Sequence, residues 1–181
     1  MSQPNTIKKQ SPNLGTRLNN PGNIRSGPIP IWLGQTGSEK GFARFSEPVY
    51  GVRAGLKLLV NYNLKGYNTL RKILDRYAPD HTGMNYLQYL SEKTGFGPDE
   101  VFPPTPENFK KIFRYMMIIE VSGLDATTHF IPELDRAWTM IDDTKINPIA
   151  IFPVLNYVLS GGILAGLIFV LYSLILKLKN K

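Results

Sequence analysis

Beyond Pro48 the apolar residues fall into a helical period. Val49, Val52, Leu56, Leu59 and Val60 recur at three- and four-residue steps, with Arg53 and Lys57 on the polar side. The pattern predicts an amphipathic helix with Ser46 as N-cap and Pro48 in its first turn, ending near Asn63. A short helix is expected from Thr69 to about Tyr77, where Pro79 prevents continuation, and another from Asn85 to Lys93, with Gly95 placed to end it. Thr105-Pro106-Glu107 opens the most apolar of these helices, carrying Phe109, Ile112, Phe113, Met116, Met117 and Ile119 and stopping at Gly123. A last helix follows Pro132, with Leu134, Ala137, Trp138 and Ile141 on one side. Upstream, Asn19 to Glu47 is punctuated by Asn, Pro and Gly and reads as loop with short extended pieces, Ile29 to Leu33 and Gly41 to Phe45. Met1 to Leu14 is polar and aperiodic, a flexible arm.

The pattern changes again at the end of the chain. From Ile149 to Leu176 no side chain is charged, and Lys177, Lys179 and Lys181 follow. At about 1.5 Å per residue such a run exceeds the roughly 20 residues that cross a bilayer core of about 30 Å. The expected architecture is therefore mainly α: a flexible arm over 1–16, a soluble domain over 17–146, and a C-terminal transmembrane helix with a basic tail over 147–181. Such a chain is single-pass, anchored in a virion membrane or the host inner membrane, with the lipid bilayer as a partner. The terminal lysines favour residues 1–146 on the outer face of a cell membrane. Gly162 and Gly166 form a Gly-x-x-x-Gly spacing, compatible with a homo-oligomer built through the membrane helix.

Charge divides the remainder unevenly. Residues 1–76 hold twelve Lys and Arg against three acids, whereas residues 77–146 hold six against eleven, so the net charge of +7 hides two opposed regions. A basic half suits a polyanionic partner or is simply a solvated surface. No RNA-binding aromatic motif, zinc-finger spacing or long Lys/Arg block is present, so nucleic acid is not the expected partner. With no cysteine and only His81 and His129 as imidazoles, neither a disulfide, thiol chemistry, a metal site nor a cofactor is expected.

One constellation carries chemistry. Arg17 to Arg25, with Asn19, Asn20, Pro21, Gly22 and Asn23, is followed by Trp32-Leu33-Gly34, by Gly41 to Phe45, and by Gly51-Val52-Arg53-Ala54. Asn19, Asn20 and Asn23 supply amides, Arg25 a cation, and Trp32, Phe42 and Phe45 flat apolar faces. Amides beside aromatic platforms are what a sugar polymer requires for hydrogen bonding and ring stacking. The same residues equally suit a self-bonded loop pinned to the helical core.

These motifs resemble a family of small phage and prophage virion proteins with an Asn-Asn-Pro-Gly-Asn-Ile-Arg start, a Trp-x-Gly, a Gly-Phe-Ala-x-Phe and a Gly-Ile-Arg-Ala-like helix start. The likeness covers about Arg17 to Gly97 and includes Thr69-Leu70, Ile73, Ala78-Pro79, Asn85 and Tyr89. The opening also resembles the Asn-rich segment that follows the catalytic helix of lysozyme-like glucosaminidases. That second resemblance implies a lysozyme-like, peptidoglycan-facing domain, with peptidoglycan and other virion proteins as partners.

The sequence departs from the lysozyme-like pattern at its most important residue. Those enzymes place a catalytic Glu at a helix end just before the Asn-rich loop, yet residues 1–18 contain no acid. Between the loop and the first long helix the only carboxylates are Glu39 and Glu47. Glu47, beside Phe45 at the helix start, is the better candidate acid, although a first-turn Glu also complements the helix dipole. Asp75 lies close enough to Arg71 and Arg76 in sequence to be an ion-pair partner. A single acid suffices for a lytic transglycosylase, whereas a hydrolase usually needs a second carboxylate. Two functions follow: a virion-associated lytic transglycosylase or glycosidase that opens peptidoglycan during genome entry, or a non-catalytic virion protein whose degenerate lysozyme-like domain binds the wall.

Overall fold

The computed structural model describes residues 13–27, 32–79 and 85–141. The chain divides into two units, Met1–Ile146 and Asn147–Lys181, and every described residue belongs to the first.

A single helical turn, α1 (Leu14–Arg17), starts at Asn13, whose side-chain oxygen accepts from the Gly15 amide at 2.8 Å. The Asn-rich loop leads to an antiparallel hairpin of β1 (Gln35–Glu39) and β2 (Phe42–Phe45), with Glu39 opposite Phe42. Its connection is Lys40-Gly41, at φ 51° and 80°, the left-handed pair that a two-residue hairpin turn requires. The loop occupies the free edge of β2: Ala43 N donates to Ile24 O at 2.9 Å and Phe45 N to Leu18 O at 2.8 Å.

The helical part follows the apolar spacing. Helices α2 (Pro48–Leu64), α3 (Leu70–Tyr77), α4 (Tyr86–Thr94) and α5 (Pro106–Glu120) precede a short turn α6 (Gly123–Asp125), a π-helical turn over Ala126–Phe130, a 3₁₀ turn over Ile131–Glu133, and α7 (Leu134–Thr139). Thr69 and Thr105 cap α3 and α5 by accepting from the amides of Lys72 and Asn108. Gly95, at φ 79°, ends α4 in the left-handed conformation that Gly adopts without strain. The core lies where α2 and α5 meet, with Leu56, Leu59, Ile112, Phe113, Met116 and Met117 all fully buried. Phe109 stacks on Trp138 of α7 at 5.9 Å between ring centroids.

Two glycines set the approach distances. A Cβ on Gly55 would stand 1.9 Å from Phe113 Cζ, so the bare backbone lets α5 press its ring against α2. A Cβ on Gly51 would stand 1.8 Å from the Asn19 carbonyl oxygen, so the Asn-rich loop sits directly on α2.

Several expectations need correction. The α2 N-cap is Glu47, with no side-chain cap bond; the Ser46 amide instead donates to Gly34 O at 2.9 Å. The partner of β2 is the polar strand Gln35–Glu39, not Ile29 to Leu33: Leu33 and Gly34 form a turn, and residues 29–31 lie outside the described residues. The expected arm also lies outside them up to residue 12.

The expected transmembrane helix is corrected too, because no helix among the described residues is long and apolar enough to cross a membrane. The longest, α2, has 17 residues and carries Arg53 and Lys57; at 1.5 Å per residue it reaches only about 25 Å. The stretch 147–181, where the anchor was expected, lies outside the described residues. The described fold is thus mainly helical with a two-stranded sheet, and single-pass anchoring in a virion or host membrane is withdrawn with the helix that implied it.

Candidate functional site

The Asn-rich loop is built by its own side chains. Asn20, fully buried, donates from Nδ2 to Ile24 O at 2.9 Å and Ala43 O at 2.8 Å, and its Oδ1 accepts from Ile24 N at 2.8 Å. Asn19 and Asn23 hold the left-handed conformation, at φ 52° and 44°, which Asn tolerates better than most residues. Asn19 donates to Phe45 O at 3.1 Å, fastening the loop to the end of β2.

Asn23 faces the other way. Its Nδ2 donates to the side chain of Glu120 at 2.8 Å and to the Glu120 carbonyl at 3.3 Å. The second carboxylate oxygen of Glu120 accepts from the Tyr86 hydroxyl at 3.2 Å. A donor on each oxygen fixes the carboxylate plane. Glu120 is the last residue of α5, where the helix dipole disfavours a negative charge, so its placement depends on these donors.

Around this carboxylate opens a cleft of about 470 Å³. Asn23, Arg25, Trp32 and Phe42 line it from the loop and hairpin, Leu58 and Tyr62 from α2, Arg76 to Pro79 from the end of α3, and Glu120 from α5. Among the described lining residues Glu120 is the sole carboxylate. The Arg25 guanidinium stacks over the Phe42 ring at 4.7 Å. The Tyr77 hydroxyl donates to Gly22 O, tying α3 to the Pro21-Gly22 turn. Burial, then the Glu120 charge, pushes the Tyr77 phenol well above its ordinary value; burial, then neighbouring Tyr77 and Glu120, does the same to Tyr86. Both phenols therefore stay protonated near neutrality, and Tyr86 acts as a donor to Glu120.

The residues singled out in the sequence separate into two groups. Asn23, Arg25 and Trp32 line the cleft, whereas Asn19, Asn20 and Phe45 support it from behind, with Phe45 in a small core beside Ile24, Ala43 and Ala54. The two candidate acids lie elsewhere. Glu39 is clasped by Arg17 and Arg44, each at 2.7 Å, and the Arg17 hydrogen bond lowers its pKa. Glu47 stands at the start of α2 with its side chain 53% exposed, 3.7 Å from Arg136. Neither lines the cleft. Asp75 makes no described ion pair with Arg71, which instead forks onto Asp99. Glu120, Tyr77, Tyr86 and Arg76 were not singled out. One signal was available: Glu120 is an acid ending the apolar run Met116 to Ile119, where neither core packing nor the dipole favours it.

No protein-family model matches the chain. It is similar to protein P5 of Pseudoalteromonas phage PM2, with 34% identity over 101 residues, covering 49% of this chain and 63% of that protein. The chain thus spans less than two thirds of its relative. The expected kinship with phage proteins holds at this level, as a distant homology; the comparison does not extend to the lysozyme-like resemblance or to its motif.

Proposed function

We propose that this chain is a virion component that acts on the glycan strands of host peptidoglycan, with Glu120 as the proton donor. The observation that carries the reading is the carboxylate itself: a helix-end acid, the one acid among the described lining residues, gripped by Asn23 of the Asn-rich loop inside a cleft with aromatic walls. The lysozyme-like resemblance implies a helix-end Glu beside such a loop. Here the helix comes later in the chain, 97 residues beyond Asn23, so the same neighbourhood is reached in a different order. Similarity to a phage protein supports the virion setting, with other virion proteins as partners.

With one carboxylate among the described lining residues, the reading is that of a lytic transglycosylase. Glu120 gives its proton to the glycosidic oxygen, the C1–O bond breaks, and the departing sugar leaves as an alcohol. The 6-hydroxyl of the remaining sugar closes on C1 and returns its proton to Glu120, which leaves a 1,6-anhydro end. Trp32, Phe42 and Tyr62 offer faces for pyranose rings, and Asn23 holds the acid in place.

A second reading has its own support. Both Glu120 oxygens already accept hydrogen bonds, as they would in a purely structural clasp, and the cleft would then bind the wall without cutting it. Incubating the full chain with purified peptidoglycan and identifying soluble products by mass spectrometry separates the two. Anhydro-muropeptides are expected. Sedimentation with the wall and no release would leave the binding module, and neither release nor sedimentation would overturn a wall-directed function altogether.

A further inference from the structure

The described lining of the cleft sets two cations, Arg25 and Arg76, against one acid, Glu120. Ion pairs among the described residues use Arg17, Arg44, Arg71, Lys110 and Arg136, and none uses Arg25 or Arg76. Both of these line the cleft, Arg25 from the loop and Arg76 from the last turn of α3. Arg76 also acts on Tyr62: its charge opposes the upward push that burial gives that phenol. Arg25 spends its planar face on Phe42. Stacking of this kind leaves the edge of a guanidinium, with its parallel N–H donors, for a planar anion. A neutral polysaccharide would gain no charge-assisted bond from either guanidinium, whereas a carboxylate would gain one from each.

We propose that Arg25 and Arg76 form a carboxylate-reading subsite, so that the cleft selects a glycan bearing carboxylates, as the stem peptides of peptidoglycan do, over a neutral polymer of N-acetylglucosamine. This rests on the wall-directed reading above and names what within the wall is recognised. Phosphates would also suit two guanidiniums, but the rest of the described lining is mostly aromatic and aliphatic, and holds a carboxylate that repels a dense polyanion.

The test measures co-sedimentation of the full chain with native peptidoglycan, with the same peptidoglycan after its carboxyl groups are converted to neutral methylamides, and with chitin. The chain should bind native walls at least tenfold more tightly than amidated walls or chitin. Arg25→Gln and Arg76→Gln should each weaken binding to native walls three- to tenfold and leave binding to amidated walls unchanged. Both side chains are exposed, so the variants should melt with the parent. Equal binding to native and amidated walls, or equal losses by the variants on both, would overturn the subsite and leave the wall-directed function standing. Binding to duplex DNA as tight as to native walls would replace it with a general polyanion site. Absence of binding to any wall would remove the subsite and the proposed function together.

Discussion

Asn20 shows how much of the site depends on one buried amide. It saturates the Ile24 amide, adds a second donor to the Ile24 carbonyl, and supplies the described donor to the Ala43 carbonyl. Ile24 O keeps its bond from Ala43 N, so Asn20→Ala leaves one amide orphaned and one carbonyl poorly served. The loss should be about 2–4 kcal/mol in urea unfolding, far above a typical surface change. Tyr77 makes a pH-dependent contribution. Below its ordinary pKa of 10.0 it is protonated folded or unfolded, so it adds no pH dependence there. Above that pH the unfolded chain ionises first, and stability falls as pH rises towards the raised folded value. Tyr77→Phe should therefore make the decline between pH 10 and 11.5 shallower by up to about 1.4 kcal/mol per pH unit; an unchanged slope in urea unfolding would contradict the placement of this phenol. At this scale the sequence was half informative. Asparagines and aromatics marked the loop, but whether an amide bonds its own backbone or faces a cleft depends on contacts that spacing does not encode. Asn20 and Asn23 look alike in sequence and do opposite things.

Among the elements, α5 matters most, because its apolar face meets α2 and its last residue is Glu120. Gly55→Ala would force a methyl to within 1.9 Å of Phe113 Cζ and should lower stability by about 2–3 kcal/mol. Combining it with Phe113→Leu should recover part of that loss, a coupling that two independent sites would not show in thermal melts. Thr105→Ala removes the α5 cap and should be milder, about 1 kcal/mol, with the cleft intact. These helices were legible because burial imposes a 3.6-residue period on their apolar positions. β1 was not: Gln35 to Glu39 is polar and largely exposed, held by its turn and by pairing to β2, so it offers no alternation to read. Residues 126–133 pass through π and 3₁₀ geometry, which no periodicity distinguishes from an α-helix.

For the whole molecule, the proposed site joins residues far apart in the chain. An acid was sought near the Asn-rich loop in sequence, and Glu39 and Glu47 were the nearest. Folding instead brings the end of α5 across to that loop, and places Glu120 against Asn23. Local motifs recorded the loop faithfully, but nothing local could record which distant helix would close on it. The membrane helix is the opposite case, a strong compositional signal that no described helix carries. The distant phage homologue agrees with the virion setting. The most direct measurement compares anhydro-muropeptide release from purified peptidoglycan by the parent chain and by Glu39→Gln, Glu47→Gln and Glu120→Gln. Glu120→Gln should lose at least about a hundredfold, in the range of a missing general acid, while the other two stay within about threefold of the parent. Undiminished release by Glu120→Gln, or its selective loss in Glu39→Gln or Glu47→Gln, would contradict the account.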